Sequence, residues 1–266
     1  MLYFSPEQDE ELTAIGLRPG RMCYFASRSA PMGPVTGGVT TATFYNFSPS
    51  LVAHNIPRAW TLATVEDILA ARLRAVDRAL TRLLGADTVA SPELAEAASL
   101  ARRACEGLDP TGRPLYAAHA DLPWPDAPHL VLWHAITLLR EHRGDGHIAA
   151  LVEAQLGGLD ALITHTATGR GFTVAAAKAT RGWSDDEWDA GVADLRGRGL
   201  LDDSGLTADG EALRASVEDV TDRLATRPWS QLGADDTARL TELGRTLSKQ
   251  IAAAGAWPDG VFGRPR

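Results

Sequence analysis

One stretch in the middle of the chain, from Trp133 to His147, brings together side chains that can do chemistry. It contains three histidines, two arginines and two carboxylates: His134, His142, His147, Arg140, Arg143, Glu141 and Asp145. A histidine beside a carboxylate can act as a general base, and an arginine can clamp a carboxylate or enolate oxygen. The stretch therefore predicts a site, although it names neither a reaction nor a ligand.

The spacing of these residues predicts a corner between two helices. His134 and Glu141 fall on one helical face by the i, i+3, i+4, i+7 rule. Gly144 suits the left-handed position that ends a helix, and Asp145 is a good N-cap for a second helix. His147 would stand in the first turn of that helix, where backbone N–H groups attract anions. We therefore expect side-chain atoms of His134, Glu141 and His147 within about 10 Å of one another.

Three interpretations of this stretch stay open from the sequence. The first is an active or ligand-binding site, in which His134, Glu141 and His147 are catalytic. Its ligand-binding residues would be Arg28, Arg140, His142, Arg143 and Asp145, and His119 and His165 could close the same pocket. The second is a salt-bridge network that only ties helices together. The third is a metal site made of His134, Glu141, His142 and His147, although their spacing matches no standard zinc pattern. No cofactor can be named.

A second unusual segment, from Arg21 to Gly38, has an apolar start, a lone arginine and then repeated prolines and glycines. We expect an irregular loop here, because glycine lets chain or ligand approach the backbone closely. Two interpretations fit this loop equally: a connector with a solvated Arg28, or a wall of the pocket at the central corner.

Cap residues and apolar periodicity predict helices along most of the remaining chain. Thr64 to Leu84 is the clearest amphipathic helix, closed by Gly85, and Ser91-Pro92 begins another. After about residue 156, a run of short helices precedes two tiny strands around Asp202 and a long helix, the order of a winged helix-turn-helix. We therefore predict an all-α fold, with a helical domain over residues 1–156 and a winged-helix domain with a last helix and tail over 157–266.

Composition narrows the class of protein. The chain has 266 residues and a net charge of −8, which disfavours a general nucleic-acid or anionic-membrane binder. No apolar run approaches the roughly 20 residues that span a bilayer, and the N-terminus is acidic where a signal peptide would be basic. Cys23 and Cys105 lack metal or redox spacing and are expected to be reduced thiols. A cytoplasmic protein is the resulting prediction.

The charges of the predicted winged helix argue against DNA as a partner. Between Arg181 and Arg227 there are 6 basic and 12 acidic residues. The recognition-helix candidate begins Ser184-Asp-Asp-Glu, and the wing tip is Asp202-Asp203-Ser204, whereas a DNA reader normally carries Lys or Arg at both places. The pattern favours a winged helix that serves as a scaffold or dimer surface, so a homodimer is possible.

The ending Gly199-Leu-Leu through Leu206-Thr-x-x-Gly is similar to that of MarR-type regulators, and nearly the whole chain resembles a SalK-type actinobacterial helix-turn-helix family. The second resemblance rests on Tyr3–Glu7, Phe25–Val35, Trp133–His147 and Arg181–Ser184. It implies a helical domain followed by a winged helix, and it makes a role in specialised metabolism plausible. From residues and resemblance together, the leading hypothesis is an enzyme or binding protein for a small organic molecule. The alternative is a MarR-like regulator that responds to such a ligand.

Overall fold

A computed structural model describes residues 2–169 and 171–257, and it is almost entirely helical over that part of the chain. The α-helices run in this order: α1 (Pro6–Ala14), α2 (Arg21–Ser29), α3 (Gly37–Phe44), α4 (Pro49–Asn55), α5 (Val65–Val89), α6 (Pro92–Ala104), α7 (Pro114–Ala120), α8 (Pro128–Glu153), α9 (Gly158–Ala167), α10 (Val174–Arg181), α11 (Asp185–Gly197), α12 (Ala208–Leu224), α13 (Arg227–Leu232) and α14 (Ala234–Ala253). Short 3-10 turns cover Leu2–Phe4, Ala30–Met32 and Arg58–Thr61. Two strands, β1 (Leu201–Asp202) and β2 (Gly205–Leu206), pair antiparallel. The predicted all-α class with a minimal wing is confirmed.

Helix starts follow the cap residues that the sequence offers. The hydroxyl of Thr64 accepts from the Asp67 amide ahead of α5, and the hydroxyl of Ser91 accepts from the Leu94 amide ahead of α6. Ser184 and Glu187 form a capping box ahead of α11. The backbone leaves helical geometry at Gly85, with φ of 79°, where the sequence predicted the end of the amphipathic helix.

The segment after Arg21 is not the irregular loop that its prolines and glycines predicted. It folds as α2, with Met22, Phe25 and Ala26 buried, and then turns at Gly33 with φ of 78°. The apolar spacing of 22, 25 and 26 is helical, and the prolines come only after the helix has ended. Arg28 therefore lies in the last turn of a helix.

The corner predicted at Gly144 is also wrong, because α8 continues through it without a break. A glycine in a helix interior costs only about 1 kcal/mol relative to alanine, so it does not by itself end a helix that tertiary packing holds. Asp145 caps a helix after all, but a different one: its Oδ2 accepts from the backbone N–H of Tyr116 in the first turn of α7, at 2.9 Å.

The chain divides into two compact units, each assembled from separate segments. Of the described residues, unit 1 comprises 2–35, 55–145 and 225–257, and unit 2 comprises 36–54, 146–169 and 171–224. The last helix, α14, thus groups with the N-terminal helices and not with the winged helix beside it in sequence. The expected division into a helical domain over residues 1–156 and a winged-helix domain over residues 157–266 stays a prediction.

Each unit has its own apolar core. In unit 1, α6, α8 and α14 bury a cluster that includes Leu100, Leu138 and Leu243. In unit 2, the short helices and the wing bury another that includes Trp188 and Leu195. Both cysteines are buried thiols.

No helix of the described residues is long and apolar enough to cross a membrane. The C-terminal tail that the sequence predicts falls largely outside the described residues. Its first aromatic residue, Trp257, packs edge-on against Phe4 in unit 1, with ring centroids 5.7 Å apart.

Candidate ligand-binding site

The central stretch does meet Arg28, through a buried ion pair between α2 and α8. The Nη2 atom of Arg28 lies 2.8 Å from Oε2 of Glu141, and its Nε atom donates to Oε1 at 3.1 Å. Arg28 Nη1 donates to the Tyr24 hydroxyl at 3.1 Å, and Arg140 also donates to Glu141. Glu141 is 1% exposed. Arg28 and Glu141, which the sequence predicted to share a pocket, are therefore together.

The environment of Glu141 suits an ion pair better than proton transfer. Burial alone would raise the pKa of this carboxyl, but Arg28 and Arg140 outweigh burial and lower the pKa to about 2. A group with so low a pKa is a weak base at neutral pH, and both of its oxygens already accept from guanidinium groups. The geometry gives no support to Glu141 as a general base.

The expected trio of His134, Glu141 and His147 does not share one site. Along the continuous helix α8, the rise from His134 to His147 is about 20 Å, which contradicts the predicted cluster. His147 lies in unit 2, where its Nδ1 atom is 2.8 Å from the hydroxyl of Thr221. The helix break that would have folded His147 back does not exist.

The other predicted ligand-binding residues of α8 have separate surroundings. His142 is buried edge-on against Tyr116, and its backbone oxygen accepts from Arg113. Burial and then the charge of Arg113 lower the pKa of His142 to about 4. Burial raises the pKa of Asp145 to about 6, although the bond from Tyr116 opposes the rise. Arg143 is exposed.

A cavity of about 340 Å³ in unit 1 takes in His134 and several residues that sequence reasoning missed. Its walls come from α5, the Pro123–Pro125 corner and the first turns of α8. The lining residues are Leu69, Ala70, Arg72, Leu73, Leu122, Pro123, Trp124, Pro125, Trp133 and His134. Arg72 and His134 are only 2% and 3% exposed. The lining thus combines a buried cation, a buried imidazole and two indoles.

Arg72 is held by neutral partners. Its Nη2 atom lies 3.1 Å from Nε2 of His119, whose Nδ1 lies 2.8 Å from the backbone oxygen of Leu115. Because a carbonyl oxygen can only accept, the proton of His119 is on Nδ1 and Nε2 accepts from Arg72. The guanidinium carbon stacks 4.7 Å above the Trp133 ring, and Nε is buried without a partner. The Tyr3 side chain also bonds Arg72, and Glu141 interacts with it electrostatically, but no carboxylate of the described residues forms an ion pair with it.

His134 also carries an unsatisfied nitrogen. Its ring stands edge-on to Trp124, with centroids 4.7 Å apart, and its Nε2 atom is buried without a hydrogen-bond partner. Burial, followed by the charges of Arg72 and Arg102, lowers the pKa of His134 to about 4. The imidazole is therefore neutral at pH 7. An unpaired buried polar atom costs about 1 to 3 kcal/mol, so two of them beside one cavity need an explanation.

The sequence held one signal that points to Arg72. Ile68, Arg72 and Val76 are spaced i, i+4, i+8 on the buried face of α5, so a charged residue interrupts an apolar stripe. Leu73, the apolar residue next to Arg72 on this helix, is 36% exposed. The charge on the buried face was thus visible in the sequence, whereas its partners were not.

A metal site receives no support from the structure. Among residues 2–169 and 171–257, no group of three histidine, cysteine, aspartate or glutamate side chains is arranged to hold a metal ion.

The winged helix of unit 2 presents an acidic surface, as its charges predicted. Asp185, Asp186, Glu187 and Asp189 are exposed at the start of α11. At the tip of the wing, Asp203 is fully exposed and pairs with Arg196 at 2.8 Å.

Comparison with known proteins places the whole architecture in one family. A family model described as a helix-turn-helix family matches residues 1–258. No curated protein and no solved structure matches the chain. The finer resemblances, to a SalK-type family and to MarR-type regulators, stay predictions. Since the match extends over nearly the full length, the chain belongs to this helix-turn-helix family.

Proposed function

We propose that the protein binds a small organic acid in the cavity of Arg72 and His134. The supporting observation is a buried arginine without a carboxylate, beside a neutral histidine with an unpaired nitrogen. A ligand carboxylate would supply the missing anionic partner, and the walls of Trp124 and Trp133 suit an aromatic ring beside it. Catalysis by His134, Glu141 and His147 as one set is not part of this proposal, because they do not share a cavity.

The cavity selects for negative charge. Neither aspartate nor glutamate is among its lining residues, and the Arg102 guanidinium stacks 4.6 Å from the Trp124 ring. A charge-assisted hydrogen bond is worth about 1.5 to 3 kcal/mol, so losing the one to Arg72 would weaken binding by about 10- to 150-fold.

Aromatic acids test the proposal directly. We expect benzoate and its ring-substituted analogues to raise the melting temperature and quench tryptophan fluorescence, whereas the matching neutral benzamides do neither. Arg72→Met should weaken the binding of these acids at least about tenfold. Arg74→Met is the matched control, because Arg74 lies on the same helix but is exposed and pairs with Glu11. Equal binding of acids and amides, or no binding of either, would contradict the proposal.

A second candidate is a ligand-responsive regulator, which membership of a helix-turn-helix family favours. The acidic start of α11 and the acidic wing oppose it, because phosphate neutralisation supplies most of the affinity of DNA readers. We expect no complex with random duplex DNA at micromolar protein and low salt, with or without benzoate, in a mobility-shift assay. A tight complex whose affinity falls steeply with added salt would favour the regulator.

A further inference from the structure

A second cavity in unit 1 is lined almost entirely by apolar groups. It measures about 370 Å³ and lies among α5, α6, α8, α13 and α14. Its lining residues include Leu80, His129, Trp133, Ile136, Trp229 and Gly244. Ile136 and Trp229 are 47% and 40% exposed, so apolar surface is left open to solvent. We refer to it as the apolar groove.

The apolar groove shares a wall with the cavity of Arg72 and His134. Trp133 lines both. On α5, the lining residues of the Arg72 cavity end at Leu73 and those of the groove begin at Leu80, about 10 Å further along the helix. Trp133 is therefore a wall that the cationic compartment and the apolar one have in common.

We infer that the apolar groove holds an alkyl extension of the same acid whose carboxylate pairs with Arg72. The ligand class is then an amphipathic aromatic acid, with its anionic head on one side of Trp133 and its apolar tail on the other. This inference rests on the proposed function, and it adds the nature of the rest of the ligand.

The difference in charge between the two compartments determines which end of the ligand lies in each. Apart from His129, no titratable side chain is among the described residues that line the groove, and Nε2 of His129 is already bound to Asp77 at 2.7 Å. An anionic head in the groove would lose its hydration without gaining a cation, whereas at Arg72 it gains one. An alkyl tail in the groove replaces water against leucine, isoleucine and tryptophan side chains.

A series of para-alkylbenzoates, from benzoate to octylbenzoate, measures the contribution of the groove. Each methylene that enters the groove should lower Kd about fourfold, until the groove is filled and the series levels off. Titration calorimetry at constant pH gives Kd for each member.

Gly244 allows the groove to be filled without strain. No atom lies within 4 Å of the position that a Cβ would take there, and Gly244 lies within α14. Gly244→Leu should abolish the chain-length dependence and leave benzoate binding unchanged. Gly197→Leu is the matched control, because Gly197 is also helical and open at the Cβ position but lies in unit 2.

The outcomes separate the two proposals. If benzoate binds but longer chains bind no tighter, the groove inference fails and the proposed function stands. The same conclusion follows if Gly244→Leu leaves the chain-length dependence intact. If no member of the series binds, the proposed function fails and the inference fails with it.

Discussion

Two arginines of unit 1 have opposite surroundings. Arg28 meets a carboxylate through two hydrogen bonds, and the Tyr24 hydroxyl accepts a third. Arg72, which is more deeply buried, meets a neutral histidine and an indole face, and one of its nitrogens has no partner. In the first arrangement the charges of Arg28 and Glu141 neutralise each other, so a structural role is sufficient to explain the pair. The second leaves a charge for something else to satisfy, so it is the better candidate for binding.

The largest effect on stability should come from removing the carboxylate of the Arg28–Glu141 ion pair. Glu141→Ala leaves the Arg28 side chain, which is only 13% exposed, without its anion, and we expect the free energy of unfolding to fall by about 3 to 5 kcal/mol. The double variant Arg28→Met, Glu141→Leu removes both charges and should recover most of that loss. Urea denaturation measures both variants. A fall below about 1 kcal/mol for Glu141→Ala would mean that the pair is not structural.

The pH dependence of stability should come next in size. The pKa of His134 is about 4 in the folded protein and near 6.5 when unfolded, so the unfolded state binds more protons between these values. The contribution of His134 to stability is then fully present above pH 6.5 and falls by up to about 3 kcal/mol as pH drops towards 4, and His142, whose pKa is also about 4, acts in the same direction. Asp145 acts in the opposite direction, because its raised pKa of about 6 makes its contribution disappear as pH rises through that value.

The variant His134→Gln isolates the contribution of His134 to the pH dependence of stability from the contributions of the other titrating groups. His134→Gln should flatten the slope of unfolding free energy against pH between 4 and 6.5, measured by urea denaturation at a series of pH values. An unchanged slope would show that this imidazole does not stay neutral in the folded protein.

Arg72 should contribute less to stability than the ion pair of Arg28 with Glu141. Replacing a buried, under-paired charge with an apolar side chain of similar length is often neutral or stabilising. Arg72→Met should therefore change the free energy of unfolding by no more than about 1 kcal/mol, although it weakens acid binding. Thermal melts without ligand measure this. A loss as large as that of Glu141→Ala would remove the difference between the two arginines.

The smallest effect on the free energy of unfolding should come from an exposed ion pair with the same distance between its charged atoms. Arg196 and Asp203 on the winged helix are 2.8 Å apart, as are Arg28 and Glu141, but Asp203 is fully exposed. Exposed pairs contribute about 0.2 to 1 kcal/mol because water and salt screen them. Asp203→Ala should therefore stay near that range in the same denaturation assay, and a multi-kcal/mol loss would show that burial is not what distinguishes the pairs.

The sequence by itself determined the features that depend on neighbours in the chain. Thr64, Ser91 and Ser184 marked helix starts, because a side-chain cap bonds an amide only three residues away. The order of short helices, wing and long helix predicted the winged helix, and the acidic start of α11 was visible from charge alone. All of these are local, so no tertiary contact was needed to predict them.

Only the tertiary structure decided which charges meet and which do not. Glu141 could be assigned a role only after Arg28, 113 residues away in sequence, was seen beside it. The partner of Arg72 is His119, on another helix. Gly144 would end an isolated helix, but packing holds α8 through it, and that continuity carries His147 away from His134. The physical reason is that burial sets the energy of a charge, and burial depends on contacts between distant parts of the chain.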